Sequence, residues 1–380
     1  MTNSAWFNRR EVAGAFGDAG TDIPLLVGMC LAAGLDGTSV LVVFGVLQIA
    51  TGLLYRMPMP VQPLKAMAAL VIAQQATAEQ LYGGGLAIGL IMLVLALSGA
   101  LDRLARWVPH CVVRGVQFGL GLQLAGVALT KFVQADGARG YGLAALAFLI
   151  TIFLLASRRL PAALLVFAVG LAYAFVWKLD LRHLATAVEF RLPQIQSVSM
   201  EAVLSGLVVL ALPQLPLSLA NSVLATQKLA HDLFPERPLS LRRLGCTYGL
   251  MNLVAPWFGG VPACHGSGGL AGHFAFGGRS GGSVLVYGSL LLLLGLFFGG
   301  AFDQVALVFP LPMLGVVLLF EALALVWLVR DVSNDRTQFP ITLVVGVIAV
   351  GLPYGFVIGL VVGIGLWHMR HRTHLVSPDA

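Results

Sequence analysis

Apolar runs of helical length recur along the chain, each ended by a short polar or Pro/Gly-rich stretch. They fall near residues 11–33, 38–55, 63–77, 84–101, 109–130, 141–157 and 161–177. After a more polar stretch, Lys178 to Ser199, they resume near 202–229, 241–258, 264–276, 282–300, 309–329, 339–352 and 354–369. A crossing of the hydrocarbon core takes roughly 20 apolar residues, so the pattern predicts an all-α polytopic membrane protein of about fourteen transmembrane segments. Seven fall in residues 1–190 and seven in residues 191–380. An odd number of crossings per half inverts the second half relative to the first, which predicts a 7+7 inverted repeat. Matching positions agree with this reading. The third segment of each half is short and follows a Pro/Gly cluster, and the fifth segments share a Pro-to-Gly opening, Pro109 to Gly115 and Pro310 to Gly315.

Composition narrows the class. Hydrophobic residues make up 58% of the 380 residues and charged residues 11%, against about 25% charged in a typical globular chain. At about 27 residues per crossing, no room remains for a sizeable soluble domain. A soluble enzyme, a nucleic-acid-binding protein and a receptor with a large ectodomain are excluded. The net charge of +6 is spread over Lys and Arg residues standing singly or in pairs, with no basic patch carrying interleaved aromatics, so no nucleic-acid partner is expected. These residues act instead as topology signals. With the N-terminus inside, most of the 23 Lys and Arg residues fall on the cytoplasmic side, while Lys131, Arg139, Lys178, Arg182 and Arg191 fall outside. Both termini are therefore predicted cytoplasmic, in a cytoplasmic (inner) membrane. The first apolar run carries Asp18 and Asp22 and lacks a clean cleavage site, so it is read as a crossing and not as a signal peptide.

Several patterns that could suggest chemistry do not survive their context. Cys30, Cys111, Cys246 and Cys264 lie in or beside apolar runs without C-x-x-C spacing, which reads as packing. Cys264, His265 and His273 lack metal-ligand spacing, so neither metal nor cofactor is expected. The G-x-S-x-G match at Gly278 to Gly282 falls in a predicted cytoplasmic loop with no strand before it, and no other nucleophile or acid–base pair supports an enzyme.

The chemistry concentrates at four interrupted segments. Met57-Pro58-Met59-Pro60-Val61-Gln62-Pro63 carries three prolines and cannot be helical, so the short third segment is a half-helix entered from extended backbone at membrane depth. Gly259 to Gly269 is its counterpart before the tenth segment. Two half-helix N-termini, each with unpaired N–H groups and the positive end of a helix dipole, then meet near the bilayer midplane and form a site suited to an anion. Lys65 in the first turn of the first one is unfavourable for the helix itself and points to a compensating anion. The first segment holds two membrane-depth acids, Asp18 and Asp22, which either take part in coupling and binding or cap a helix break and pair with Lys65 or Arg114. In the eighth segment Pro213 and Pro216 break the helix beside Gln214, Ser218, Asn221 and Ser222, neutral groups able to donate to an oxyanion. Glu321 in the twelfth segment is a further buried acid, placed either to pair with Arg114 or to share in coupling. The G-x-x-x-G pairs Gly115/Gly119 and Gly295/Gly299 mark close helix packing.

Four stretches, Gly17-Asp18-Ala19-Gly20-Thr21-Asp22-Ile23-Pro24, Met59-Pro60-Val61-Gln62-Pro63-Leu64-Lys65, Leu212-Pro213-Gln214-Leu215-Pro216-Leu217 with Asn221-Ser222, and Pro262 to Gly272, together resemble the molybdate transporter branch of the sulfate permease superfamily. The resemblance spans both halves. It implies a core domain of segments 1–4 and 8–11, a gate domain of segments 5–7 and 12–14, and elevator-like alternating access. It implies uptake of molybdate, with sulfate or tungstate as alternatives, by a carrier and not an enzyme. The site then combines N–H groups of residues 64–66 and 266–268, Gly266 included, with Thr21, Gln62, Lys65, Gln214, Asn221, His265 and Ser267. Asp18, Asp22 and Glu321 are the candidates for coupling to a proton or sodium ion. The chain ends at Ala380, short of the cytoplasmic C-terminal regulatory domain of the broader sulfate permeases, so no such domain is expected. Nucleobase permeases resemble this fold but place acids on the eighth and tenth segments, where this chain has Gln214, Asn221, His265 and Ser267. Its apolar surfaces also leave room for a homodimer within the lipid bilayer.

Overall fold

The computed structural model describes residues 8–374 apart from 74, 102, 104–106, 155–161 and 178–187. Arg106, Arg158, Arg159, Lys178 and Arg182, five of the topology signals, lie outside the described residues. Each predicted segment contains a helix: α1 (Arg9–Ala33), α2 (Gly37–Tyr55), α3 (Lys65–Ile72), α4 (Ala78–Leu97), α5 (His110–Phe132), α6 (Gly137–Leu154), α7 (Ala162–Trp177), α8 (Met200–Leu233), α9 (Leu241–Val254), α10 (Ser267–Ala275), α11 (Gly282–Val308), α12 (Leu311–Val332), α13 (Gln338–Gly351) and α14 (Gly355–His374). By length and composition, α1, α2, α4, α5, α6, α8, α11 and α12 can each cross a membrane.

Local chemistry sets the ends. Asp36 accepts the Ser39 N–H to start α2, which stops at Arg56 in the left-handed region with φ 55°. The three prolines that follow keep the chain extended to β1 (Gln62–Pro63), which pairs antiparallel with β2 (Ala263–Cys264) in the register Gln62 to Cys264 and Pro63 to Ala263. The half-helices are shorter than the sequence predicts, because residues 63–64 and 264–266 belong to this extended crossing. At 8 and 9 residues, α3 and α10 span only about 12–14 Å of a core about 30 Å thick.

The eighth segment corrects an expectation. Pro213 and Pro216 do not break α8, which runs through Met200–Leu233. It widens into π-helical turns at Leu207–Ala211 and Ser218–Ala225 on either side of the proline pair, and these absorb the missing N–H groups. The first segment is interrupted as predicted, with turn residues 16–18 between Arg9–Ala15 and Ala19–Ala33.

Packing brings the helices together pairwise: α2 lies along α11, α4 along α8 and α9, α1 against α3, α5 on α12 and α13 as well as on α3, α6 on α12, and α13 on α14. Backbones approach closely at glycines. A Cβ at Gly45 would stand 2.7 Å from the Gly288 carbonyl oxygen, and one at Gly206 would stand 2.3 Å from the Gly84 nitrogen. The predicted G-x-x-x-G contacts are of this kind, with Gly119 facing Gly346 and Gly299 facing Thr38. Large apolar residues such as Phe153, Val176 and Met369 cover the exterior, as a lipid-facing surface requires.

Candidate functional site

A carboxamide from the preceding helix holds each extended stretch. Gln48 on α2 donates to the Val61 carbonyl (2.9 Å) and accepts the Val61 N–H (3.2 Å). Asn252 on α9 does the same for Ala263, donating to its carbonyl at 2.6 Å and accepting its N–H at 2.9 Å. Backbone at membrane depth cannot be left unpaired, and the two clamps supply the missing partners. Sequence reading missed both. Their signal is an amide in an otherwise apolar second segment of each half.

His265 belongs to this framework. Its Nδ1–H donates to the Pro60 carbonyl (3.1 Å) and its Nε2 meets the Thr247 hydroxyl (2.8 Å), so no ring nitrogen remains to face a substrate. The Leu64 N–H is likewise taken, by the Pro262 carbonyl at 3.0 Å.

The two half-helix starts differ in how their N–H groups are used. At α3, Gln214 Oε1 accepts from Ala66 N–H at 2.9 Å and from Met67 N–H at 3.4 Å, while its amide nitrogen donates to Ser218, which also meets Tyr248. Gln214 is therefore a cap for α3, and the expectation that N–H groups of residues 64–66 all face a ligand is corrected at Leu64 and Ala66. At α10, among the described residues, no hydrogen bond engages the N–H groups of Ser267, Gly268 or Gly269. Ser267 Oγ donates to Asn221 Oδ1 at 2.8 Å, which leaves the Asn221 amide hydrogens unspent by this contact.

The charged groups gather beside these starts. Gln62 donates to Asp18 Oδ1 at 2.8 Å, and Asp18 packs on Gly269, where a Cβ would come within 2.2 Å of Oδ2. Gly266 has its own reason to lack a side chain, since a Cβ there would sit 1.5 Å from Gln62 Oε1. Asp22 is fully buried one turn further along α1, and half-buried Thr21 precedes it. Lys65 and Glu321 are the nearest charges to both acids, yet no ion pair within 4.0 Å joins Lys65 to any described carboxylate. The expected Glu321–Arg114 pair is also absent. Arg114 bonds instead to Gln117 and to Asp331 at the end of α12. The predicted coupling acids thus come together around a lysine that has no carboxylate partner. A cavity of about 430 Å³ is lined by Leu70, Gln75, Val209 and Pro213, the residue before Gln214, on one side and by Leu352 to Val357 on the other.

Two half-helices meeting through an antiparallel crossing in the middle of two inverted sets of helices define a fold found among membrane transporters. Solved structures agree. The transmembrane domain of the cyanobacterial bicarbonate transporter BicA superposes with a TM-score of 0.62 at 18% identity, covering 94% of this chain and 97% of that one. SLC26A9 gives a TM-score of 0.69 at 12% identity, covering 95% of this chain and 64% of that one.

Sequence comparison narrows the class to a family. The model described as "Molybdate transporter of MFS superfamily" matches residues 10–124 and 206–325, corresponding stretches of the two halves. Molybdate transporter 1 of Arabidopsis thaliana is 34% identical over 94% of this chain and 88% of its own length. Molybdate transporter 2 of the same plant is 35% identical over 88% of this chain and 83% of its own length, and Molybdate transporter 1 of Chlamydomonas reinhardtii is 28% identical over 92% and 90%. The chain belongs to the molybdate transporter family and is an integral membrane anion transporter.

Proposed function

We propose that the chain is a secondary active carrier that imports molybdate, bound between the starts of α3 and α10. The observation that carries this reading is the pairing of a Lys65 ammonium that forms no ion pair with any described carboxylate with the open N–H groups of Ser267, Gly268 and Gly269. A tetrahedral dianion satisfies both at once, taking charge from α3 and backbone donors plus the helix dipole from α10. Asn221 and Thr21 add neutral donors, while Gln62, Gln214, His265, Gly266 and the Ser267 hydroxyl bonded to Asn221 hold the framework that aims them. Sulfate carries equal charge, so selectivity for molybdate rests on the size of the gap and on hydrogen-bond geometry. Sulfate and tungstate are accordingly the nearest competitors.

In this reading α1–α4 with α8–α11 form the moving core, α5–α7 with α12–α14 form the gate, and the cavity beside Gln214 is an access path along the boundary. The membrane is the cytoplasmic one, with both termini inside. Importing a dianion against an inside-negative potential costs about 4.6 kcal/mol per 100 mV, which calls for co-transported cations. Protonating Asp18 or Asp22 removes a negative charge from beside the bound dianion, so molybdate binding tightens as pH falls. Titration calorimetry with molybdate, tungstate, sulfate and uracil tests the substrate. Heat from the tetrahedral oxyanions and none from uracil is expected, and binding of uracil alone overturns the reading.

A further inference from the structure

The end of α2 gathers arginines that meet no acid. Arg56 closes the helix, and two guanidiniums from the region joining α8 to α9 reach its last carbonyls. Arg243 donates to the Leu54 carbonyl oxygen at 2.6 Å, and Arg237 donates to that of Arg56. An aromatic ring lies beneath each, Tyr55 at 4.9 Å from Arg243 and Phe234 at 5.8 Å from Arg237. Carbonyls and rings hold these side chains in place, yet a guanidinium has five N–H groups and one carbonyl uses a single one of them. Among the described residues no carboxylate stands within 4.0 Å of Arg56, Arg237 or Arg243. Counting Arg56 with residues 226–243, the Lys and Arg residues outnumber the acids, which are Asp232 and Glu236 alone.

The surface adjoining this charge is apolar. Val46, Leu53 and Leu54 are exposed along α2, and Leu250 and Val254 along α9. On α9 the spacing from Arg243 to Leu250 and on to Val254 keeps all three on one helix face. The bond from Arg243 to the Leu54 carbonyl brings the ends of the two exposed stripes together. From Arg243 to Val254 the helix rises about 16 Å, half of a hydrocarbon core about 30 Å thick. One acyl chain fills that depth. A soluble anion makes no use of the leucines, and an apolar molecule makes no use of the guanidiniums. A phospholipid uses both.

We propose that Arg56, Arg237 and Arg243 bind the phosphate of an anionic phospholipid whose acyl chain lies along the exposed stripes of α2 and α9. The leaflet is the cytoplasmic one in the orientation proposed above, and the site is independent of what the carrier transports. Arginine suits the headgroup, since its planar fork takes two phosphate oxygens at once and its weak hydration tolerates the membrane boundary. The negative potential of an anionic leaflet adds to the attraction. The lipid also sits next to the frame of the anion site. The extended stretch toward β1 leaves from Arg56, and the Tyr55 hydroxyl meets Thr247 at 2.5 Å, which in turn meets His265 at 2.8 Å.

Native mass spectrometry of the purified full chain, titrated with phosphatidylglycerol or phosphatidylcholine of equal acyl length, tests the site. The wild type is expected to hold the anionic lipid at least about tenfold more tightly, and Arg56→Gln with Arg243→Gln together to bring the ratio within about twofold. Arg56→Gln alone removes no bond to the α2 carbonyls, so it keeps the test available if Arg243→Gln unfolds, and it should lower the ratio about threefold or more. Arg336→Gln, between α12 and α13, should leave the ratio unchanged. Equal binding of the two lipids by the wild type overturns the site, and so does a ratio that Arg56→Gln leaves intact. An equal drop in Arg336→Gln marks diffuse surface charge, and displacement of the lipid by inorganic phosphate marks a site for soluble anions; either result overturns the lipid assignment.

Discussion

The two half-helix starts occupy equivalent places in the repeat but have diverged in chemistry. Pro60 to Lys65 and Pro262 to Ser267 follow the same spacing, so Lys65 and Ser267 open α3 and α10 at matching positions. Their supports are symmetric, with Gln48 clamping Val61 and Asn252 clamping Ala263. Their open ends are not. Gln214 closes the first turn of α3, and the positive charge there comes from a side chain; the first turn of α10 is left open, and its positive character comes from backbone. Symmetry therefore builds the frame, while asymmetry decides where an anion can sit. A strictly symmetric pair of open ends would offer two equivalent dipoles and no charged anchor.

Removing the charge from the α3 side strikes the comparison hardest. Lys65→Ala is expected to weaken molybdate binding by about 100-fold or more, a loss of about 2.7 kcal/mol, because a charge-assisted contact in a low-dielectric site disappears. Calorimetry on the purified variant measures it, and unchanged affinity removes Lys65 from the site. Lys65→Arg keeps the charge but not the compact ammonium, and should recover part of the loss.

The second effect should appear in stability. Gln214→Leu leaves the Ala66 and Met67 N–H groups without their acceptor, at a cost of about 1–3 kcal/mol, and thermal unfolding in detergent should report a clear drop. Asn221→Ala touches the open α10 start instead. Its expected signature is the reverse, a loss of about tenfold in molybdate affinity with little change in thermal midpoint. If both variants lose stability and neither loses affinity, the division between a closed and an open helix start fails.

How far the sequence reveals this arrangement depends on whether a residue's role is decided locally. The apolar runs, the three prolines of residues 57–63 and the glycines around Pro262 predict segments, half-helices and their meeting point, because helix breaking and membrane length are local constraints. The partners of the amides are not legible in this way. Gln62 and Gln214 are equally able to face a ligand or a neighbour, and the fold gives one to Asp18 and the other to α3. His265 reads as a donor at a helix start, but its nitrogens go to Pro60 and Thr247, contacts that exist only once the two halves cross. Tyr287 and His273 are harder still, since an aromatic in an apolar helix ordinarily signals packing. Each nonetheless buries a polar atom without a hydrogen-bond partner, the Tyr287 hydroxyl and His273 Nε2.

The smallest effect belongs to Arg114, which sequence places among the membrane charges that need explaining. Its partner Asp331 is 48% exposed on the side-chain scale, and a pair open to solvent contributes at most about 1 kcal/mol. Arg114 sits on α5, which packs mainly on α12 and α13, and its guanidinium is engaged by Gln117 and by Asp331 at the end of α12. Arg114→Met should therefore shift the thermal midpoint only slightly and leave molybdate affinity within about twofold of wild type. A loss of affinity comparable to that of Lys65→Ala would place the anion against α5 and α12, and would undo the contrast between the α3 and α10 starts on which the site is built.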